Sequence, residues 1–332
     1  MTQDDVATRA GVSRALVSLV MRNSPQVSET RRKAVLRAAA ELGYRPNAYA
    51  AQLASRQTMT LGVVLVELEN PVFPAIFSGV EHQAEEAGYA VLLTAGDLDQ
   101  ELERRAVNRL LGHRVDGIIL VGTRLPSSEL RDLADQVPLV VVGRRVTGVD
   151  TVSVDDRQGA RVAVEHLLSL GHEDIAHIDG GNGPGARIRR RSYTDTMESH
   201  GMSARIRTAG GDYTEQGGRA AAETLLSSPH PPTAIFAAND LSALGVLAGA
   251  KRRGMSVPDD LSLVGFDNTT LSAFGYISLT TVNQPGHDMG VAAVNSVTVR
   301  IDDTSRRPRT ILLAPELVVR STTAPAAATQ RT

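Results

Sequence analysis

Leu61-Gly62-Val63-Val64-Leu65-Val66-Glu67 is an apolar, valine-rich run of strand length, and Tyr89-Ala90-Val91-Leu92-Leu93-Thr94 is a second one. Between them, Phe77–Ala87 carries the apolar spacing of an amphipathic helix. A strand, a crossing helix and another strand make a βαβ unit, which lays the two strands parallel. The alternation continues with strand candidates at Gly117–Val121, Leu139–Val142, Thr151–Val154, Ile175–Ile178, Arg205–Thr208, Ala234–Ala237 and Leu261–Val264. Helical stretches separate most of them, including Glu101–Leu111, Gly159–Leu170 and Leu241–Arg252. Repeated βαβ units predict doubly wound parallel sheets, and roughly ten strands suit two such subdomains better than one. Ligands of such sheets lie outside the carboxyl ends of the strands. The segments that follow strands therefore matter most: Glu69-Asn70-Pro71, Gly143-Arg144, Asp155-Asp156, Gly180-Gly181, Asn239-Asp240 and Asp267-Asn268.

The chain has 332 residues, 42% of them apolar and 22% charged, an ordinary soluble composition that excludes wholesale disorder. No run reaches the roughly 18 apolar residues of a membrane span. The opening Met1-Thr2-Gln3-Asp4-Asp5 has no secretory character. The absence of cysteine rules out disulfides, thiolate metal sites and a cysteine nucleophile. A cytoplasmic location is expected.

The net charge of −2 hides an asymmetry. Residues 1–57 hold nine Arg or Lys against four acids, leaving the remainder at −7. A basic head on an acidic body suits a polyanion-binding module joined to something else, although charge runs are more often solvated helix faces. Within that head, Thr2 is a candidate N-cap, with Val6, Ala7 and Ala10 as an apolar face ending at Gly11. Ser13 caps a second segment from Arg14 to Met21, in which Ala15, Leu16, Leu19 and Val20 are candidate packing positions. A third helix starts at Ser28, turns Val35, Leu36, Ala39 and Leu42 inward and stops at Gly43. The small residues of Ala10-Gly11-Val12-Ser13 permit the sharp turn of a helix-turn-helix. Pro46 then breaks the chain's helical course, Asn47 can cap a short helix over Ala48–Ser55, and Leu53 is its one large aliphatic side chain. So short a helix is marginal in water until something packs on it.

Catalytic patterns fail. The glycine-rich Gly181-Asn182-Gly183-Pro184-Gly185 lacks dinucleotide spacing, and neither a P-loop nor a G-x-S-x-G is present. His172-Glu173 is half of a zinc-protease motif without its second histidine, since Ala176 stands there and His177 comes one residue late. Asp155-Asp156 reads as a helix cap, with Asp156 in that role, rather than a cation site. No cofactor and no metal are called for.

Motifs in register give the head a specific resemblance. Asp5-Val6-Ala7, Ala10-Gly11-Val12-Ser13, Val17-Ser18, Val27-Ser28, Thr30-Arg31, Glu41-Leu42-Gly43-Tyr44 and Pro46-Asn47 stand in the order and spacing of the lactose-repressor (LacI/GalR) family headpiece. In the body, Glu165-His166-Leu167-Leu168, Leu170-Gly171-His172, Pro232–Asp240, Val264–Asp267, Leu279–Val282 with Gln284, and Pro315–Arg320 are similar to that family's core motifs. The resemblance spans about residues 2–322. It implies an all-α helix-turn-helix headpiece followed by an α/β core of two doubly wound parallel-sheet subdomains, like a periplasmic binding protein. The implied domains are 1–45 for the head, 46–59 for a hinge helix and linker, and 60–322 for the core. The core's first subdomain is about 60–155 plus 284–313, the second about 156–283 plus 314–322, with a disordered tail at 323–332.

The same resemblance implies operator contacts from Thr2, Ser13, Arg14, Ala15, Ser18, Arg22, Ser28 and Arg31, and from Asn47, Tyr49, Ala50 and Leu53 in the hinge. Arg14 and Ala15 fall where the major groove is read, and Leu53 where an apolar wedge enters the minor groove. A sugar-like effector in the core cleft would meet Arg189, Asp267, Asn239 and Gln284, with Phe73 and Tyr213 as stacking candidates among only eleven aromatics. Helix capping is the competing role for Asp267 and Asn239, while Arg187, Arg190 and Arg191 read as surface charge. Three departures stand out: Leu19 replaces a frequent base-contacting arginine, Gly143 replaces a polar residue, and no leucine heptads follow Arg320. The expectation is a homodimeric, non-enzymatic transcriptional regulator, a repressor of carbohydrate-utilisation genes on a pseudo-palindromic operator. The alternatives are a cytoplasmic sugar-binding protein without specific DNA binding, and a sugar-processing enzyme on the same framework.

Overall fold

The computed structural model describes residues 1–21, 24, 26–44 and 57–326. They form two compact units, Met1–Thr58 and Met59–Thr332. In the first, α1 (Gln3–Ala10), α2 (Arg14–Met21) and α3 (Glu29–Glu41) enclose Val6, Ala7, Val17, Val20, Val27, Val35, Ala38 and Ala39. The Thr2 hydroxyl accepts from the Asp5 N–H at 3.3 Å while the Asp5 carboxylate accepts from the Thr2 N–H at 2.7 Å, a reciprocal cap on α1. Gly11 then turns the chain at φ +65°, and the Ser13 hydroxyl accepts from Leu16 N–H at 3.3 Å to start α2. Two packing expectations are corrected. Leu36 is 49% exposed and Ala38 is buried instead, because 35, 38, 39 and 42 form the i, i+3, i+4, i+7 stripe. Ala15 is exposed, as the buried stripe of α2 runs through Val17 and Val20.

The second unit holds two sheets of the same design. In the first, β1 (Thr60–Leu65), β2 (Ala90–Ala95), β3 (Gly117–Val121), β4 (Leu139–Val142), β5 (Asp150–Val154) and β11 (Thr310–Leu313) lie in the order β11-β5-β4-β3-β1-β2, all parallel. In the second, β6 (Ile175–Ile178), β7 (Arg207–Ala209), β8 (Ala234–Ala237), β9 (Ser262–Asp267), β10 (Thr280–Asn283) and β12 (Glu316–Val318) lie in the order β12-β10-β9-β8-β6-β7, with β12 antiparallel to β10. The nine strands read from sequence are all present, and β10, β11 and β12 complete the sheets. β11 and β12 are short edges with half-exposed side chains, which is why periodicity does not announce them.

Around the first sheet pack α4 (Val72–Glu86), α5 (Gln100–Gly112), α6 (Ser127–Ala134) and α11 (Gly286–Asp302). The second sheet carries α7 (Asp156–Ser169), α8 (Ala186–Ser199), α9 (Glu215–Leu226) and α10 (Asp240–Arg252). α4 starts five residues before the expected Phe77, since Pro74 falls in a first helical turn that needs no N–H from it. α4 and α11 approach until a Cβ at Gly79 or Gly290 would overlap the backbone carbonyl of His287 or Ile76. The chain passes between sheets after β5, β10 and β11.

The expected disordered tail is corrected at 323–326. Thr323 bonds His166 Nε2 at 3.0 Å, His172 Nε2 meets the Ala324 carbonyl at 3.0 Å, and Ala326 N–H donates to Leu170 O at 2.8 Å. Residues 327–332, and the hinge residues 46–56, lie outside the described residues. Among the described residues no helix is long and apolar enough to cross a membrane.

Candidate ligand cleft and DNA-reading head

In both sheets the strand order reverses beside the first strand of the set, and loops at the carboxyl ends diverge there to leave a crevice. The two crevices meet in one cavity of about 560 Å³. Val66, Glu67, Glu69 and Asn70 follow β1, Gly122 and Arg124 follow β3, and Gly143 follows β4 on one side; Gly180 to Pro184, Tyr213 and Asp267 supply the other. A volume of this size suits a mono- or disaccharide-sized molecule.

The base of the cavity is built on Arg189, which is only 5% exposed. Its Nε–H donates to Asp156 Oδ1 at 2.8 Å, its Nη1 to the Ala238 carbonyl at 2.5 Å, and Asp267 Oδ1 stands 3.9 Å from Nη1. The guanidinium lies 3.5 Å from the Phe266 ring centroid, a stack that fixes its plane. Burial works against the Arg189 charge, and Tyr213, Asp156 and Asp267 outweigh it, so its proton is held more firmly than usual. Burial pushes the Asp267 carboxyl well above its ordinary range, with Arg189 pulling it back and Asp240 reinforcing the rise. Gln284 Nε2 donates to Asp267 Oδ1 at 2.7 Å. Arg189, Asp267 and Gln284 thus form one connected polar group.

Phe73 reaches the cavity from α4, and Tyr213 from the loop after β7, where its hydroxyl donates to Pro184 O at 2.7 Å. A Cβ at Gly180 or Gly183 would overlap the Tyr213 ring, so the glycine-rich loop is the bed of that aromatic rather than a phosphate cradle. Asn239 does not line the cavity. Its Oδ1 caps α10 through Ser242 N–H at 2.8 Å and its Nδ2 donates to Tyr213 O at 2.9 Å, which ties the Tyr213 backbone to the start of that helix. The cap assignment at the start of α7 is corrected as well: Asp155 accepts from Gln158 N–H at 3.0 Å, freeing Asp156 to hold Arg189. Arg190 pairs with Asp179 at 3.1 Å and Arg191 with Asp195 at 2.8 Å, away from the cavity lining.

Glu67, Glu69, Arg124 and Asp156 were not singled out as ligand residues from sequence. The rule that strand-following segments line the crevice pointed at Glu69 and Asp156, without saying which side chains turn inward. His177 is buried and stacked 4.8 Å from Phe236, and its Nδ1 faces the Phe236 carbonyl at 2.9 Å; burial pushes it down to about 4. His172 ties the C-terminal segment to the sheet, bonding Thr233 and Ala324. Among the described residues no cluster of ligating side chains fits a metal ion.

In the head, Arg14 and Ala15 are exposed on the first turn of α2, with Ser18 half-buried one turn on. Among the described residues Arg14 pairs with Asp4 at 3.6 Å, an exposed contact of small energetic weight. Thr2, Ser13, Ser28 and Arg31 are exposed as well, and Ser28 makes no side-chain cap bond. Arg32 instead folds back onto the Ser24 carbonyl at 2.5 Å. Arg22, Asn47, Tyr49, Ala50 and Leu53 lie outside the described residues.

A helix-turn-helix head carried on a two-sheet cleft core defines a DNA-binding protein with a small-molecule pocket. Residues 2–47 match the model of bacterial regulatory proteins of the lacI family, and residues 164–323 match a periplasmic binding protein-like domain. Catabolite control protein A of Priestia megaterium is 37% identical over 300 residues, covering 89% of this chain and 90% of that one. The regulator GalR of Escherichia coli is 34% identical, covering 96% and 94%. The crystal structure of the Lac repressor dimer bound to operator and an anti-inducer superposes with a TM-score of 0.87 at 30% identity, covering 98% of this chain and 99% of that one. A CelR–cellobiose complex gives 0.73 at 32% identity, covering 97% and 99%. The chain belongs to the lacI family of bacterial regulatory proteins, and it is a DNA-binding transcriptional regulator.

Proposed function

We propose that this regulator is a repressor of carbohydrate-utilisation genes, acting as a homodimer on a pseudo-palindromic operator in the cytoplasm at the nucleoid, and that a small sugar in the core cleft controls it. The observation that carries the reading is the Arg189–Asp267–Gln284 group at the base of a sugar-sized cavity, in one chain with a helix-turn-helix head. A guanidinium and a carboxylate side by side serve a hydroxyl as donor and acceptor together. Phe73 and Tyr213 offer the apolar faces a sugar ring needs, and Gln284 lies where the chain crosses between subdomains, so closure on a ligand moves one half against the other. The cellobiose held by the similar CelR, and the operator held by the Lac repressor dimer, support both halves of the reading.

In the head, Arg14 and Ala15 read bases, Ser18 lies beside them on the same helix, and Thr2, Ser13, Ser28, Arg22 and Arg31 engage phosphates. The hinge residues Asn47, Tyr49, Ala50 and Leu53 enter the minor groove, a reading that rests on sequence. This reading gives the cleft a binding and not a catalytic role, supported by the commitment of the buried Asp156 and Asp267 to Arg189 and Gln284. Footprinting on the gene's own upstream DNA, with a sugar panel added, tests the proposal. Protection of a pseudo-palindrome that one sugar abolishes is the expected result. Absence of specific protection under every condition would overturn the DNA half and leave a sugar-binding protein.

A further inference from the structure

The cleft is unevenly charged. Glu67 and Glu69 border it from the first subdomain and Asp212 and Glu215 from the second, whereas its lining cations are Arg124 and Arg189. Both cations have partners already. Arg189 stands between Asp156 and Asp267, and Arg124 gives Nη1 to the Leu98 carbonyl at 3.0 Å. Four helix starts at this cleft, the usual anion cradles, are already capped by side chains, whereas those of α8 and α11 carry no side-chain cap. Asn70 accepts from Val72 N–H at 3.2 Å at α4, and Asp155 from Gln158 N–H at 3.0 Å at α7. Thr214 accepts from Gly217 N–H at 2.9 Å at α9, and Asn239 from Ser242 N–H at 2.8 Å at α10. What remains is rich in acceptors. A hydroxyl can donate to them, whereas an ionised phosphoryl or carboxylate group only accepts.

Resting on the sugar reading above, we infer that the cleft takes an uncharged polyol and rejects its phosphorylated or carboxylated counterparts, with Glu67 and Glu69 as the residues that set this choice. The two carboxylates follow one strand end and act on each other: burial raises the Glu67 carboxyl first, the neighbouring Glu69 raises it further, and Arg124 draws it part of the way back. A phosphoryl group entering beside them meets like charge in a partly desolvated site, which is a repulsive device for specificity.

The test uses the full protein in calorimetric titration with matched pairs: glucose and glucose 6-phosphate, ribose and ribose 5-phosphate, cellobiose and cellobionate, with inorganic phosphate alongside. An uncharged member should bind, and its charged counterpart should bind at least ~100-fold more weakly, the scale of a like-charge mismatch in an interface. In Glu67→Gln/Glu69→Gln that ratio should fall by about tenfold or more. The single Glu69→Gln, at an exposed position, should lower it by a smaller factor and serves if the double variant does not fold. A charged member binding as tightly as its neutral partner would overturn the inference, as would a ratio unchanged in both variants. Silence of every sugar while the operator is still protected would instead defeat the sugar reading of the cleft.

Discussion

Arg189→Met tests the base of the cleft most directly. The substitution keeps the length and apolar stem of the side chain and removes the guanidinium from a site that is 5% exposed. The 2.8 Å bond to Asp156 is charge-assisted and contributes about 1.5–3 kcal/mol. The stack on Phe266 adds roughly 0.5–2 kcal/mol. Asp156, 6% exposed, is left without its cation, and breaking a buried pair from one side typically costs ~3–5 kcal/mol in total. The core of Arg189→Met should therefore lose about 3–5 kcal/mol in urea unfolding. The chain has no tryptophan, so helical circular dichroism is the natural probe. Arg189→Met/Asp156→Asn removes the orphaned charge and should recover about 1–3 kcal/mol relative to the sum of the two single costs. Sugar response should disappear in both variants while operator binding without ligand persists. A single variant within about 1 kcal/mol of the parent, or strictly additive costs, would refute the account of Arg189 as a buried, carboxylate-held anchor.

Gly180→Ala should push the Tyr213 ring from its bed, cost the core about 1–3 kcal/mol and weaken sugar binding by roughly tenfold or more; unchanged affinity in a titration would show that the ring does not touch the ligand. Burial pushes Asp240 up to about 6, so its contribution to stability is complete below the ordinary 3.8 and is lost as pH rises through about 6. His177 runs the other way, its contribution complete above 6.5 and lost as pH falls through about 4. Asp240→Asn removes only the first, so its stability relative to the parent should climb between pH 4 and 6; a difference flat in pH would contradict the assignment. Arg14→Ala should cost about 1–3 kcal/mol in operator binding and relax the preference at one base pair per half-site. Equal weakening on every sequence would make Arg14 a phosphate contact instead.

The cleft also shows how two roles can trade between neighbouring carboxylates. Asp155 and Asp156 are chemically alike and adjacent, and either can cap α7. The one whose Oδ1 meets the Gln158 N–H does so, and the other is carried by the helix's first turn against Arg189, which lies 33 residues further along the chain. Asn239 shows the converse, since capping α10 and supporting Tyr213 leave it outside the cavity lining.

The parallel αβ repeat was legible without tertiary information, because period-two apolar runs and helical stripes are local properties of the chain. So was the head: the Thr2 cap, the Gly11 turn and the Gly43 stop follow from residue types that each have one local use. Arg189, Asp267, Gln284, Phe73 and Tyr213 could also be nominated, from motif resemblance and from the rule that strand ends line the crevice. The inward face of α3 was misjudged by one residue at Leu36, since consecutive apolar residues leave the helical phase undecided until a partner packs. Tertiary structure alone decided the short edge strands β11 and β12, the anchoring of 323–326, and the pairing of Arg189 with Asp156. Each depends on groups far apart in sequence meeting in one place, and the free energy that selects among such meetings comes from burial and charge pairing in the assembled core, which no local window of the chain contains.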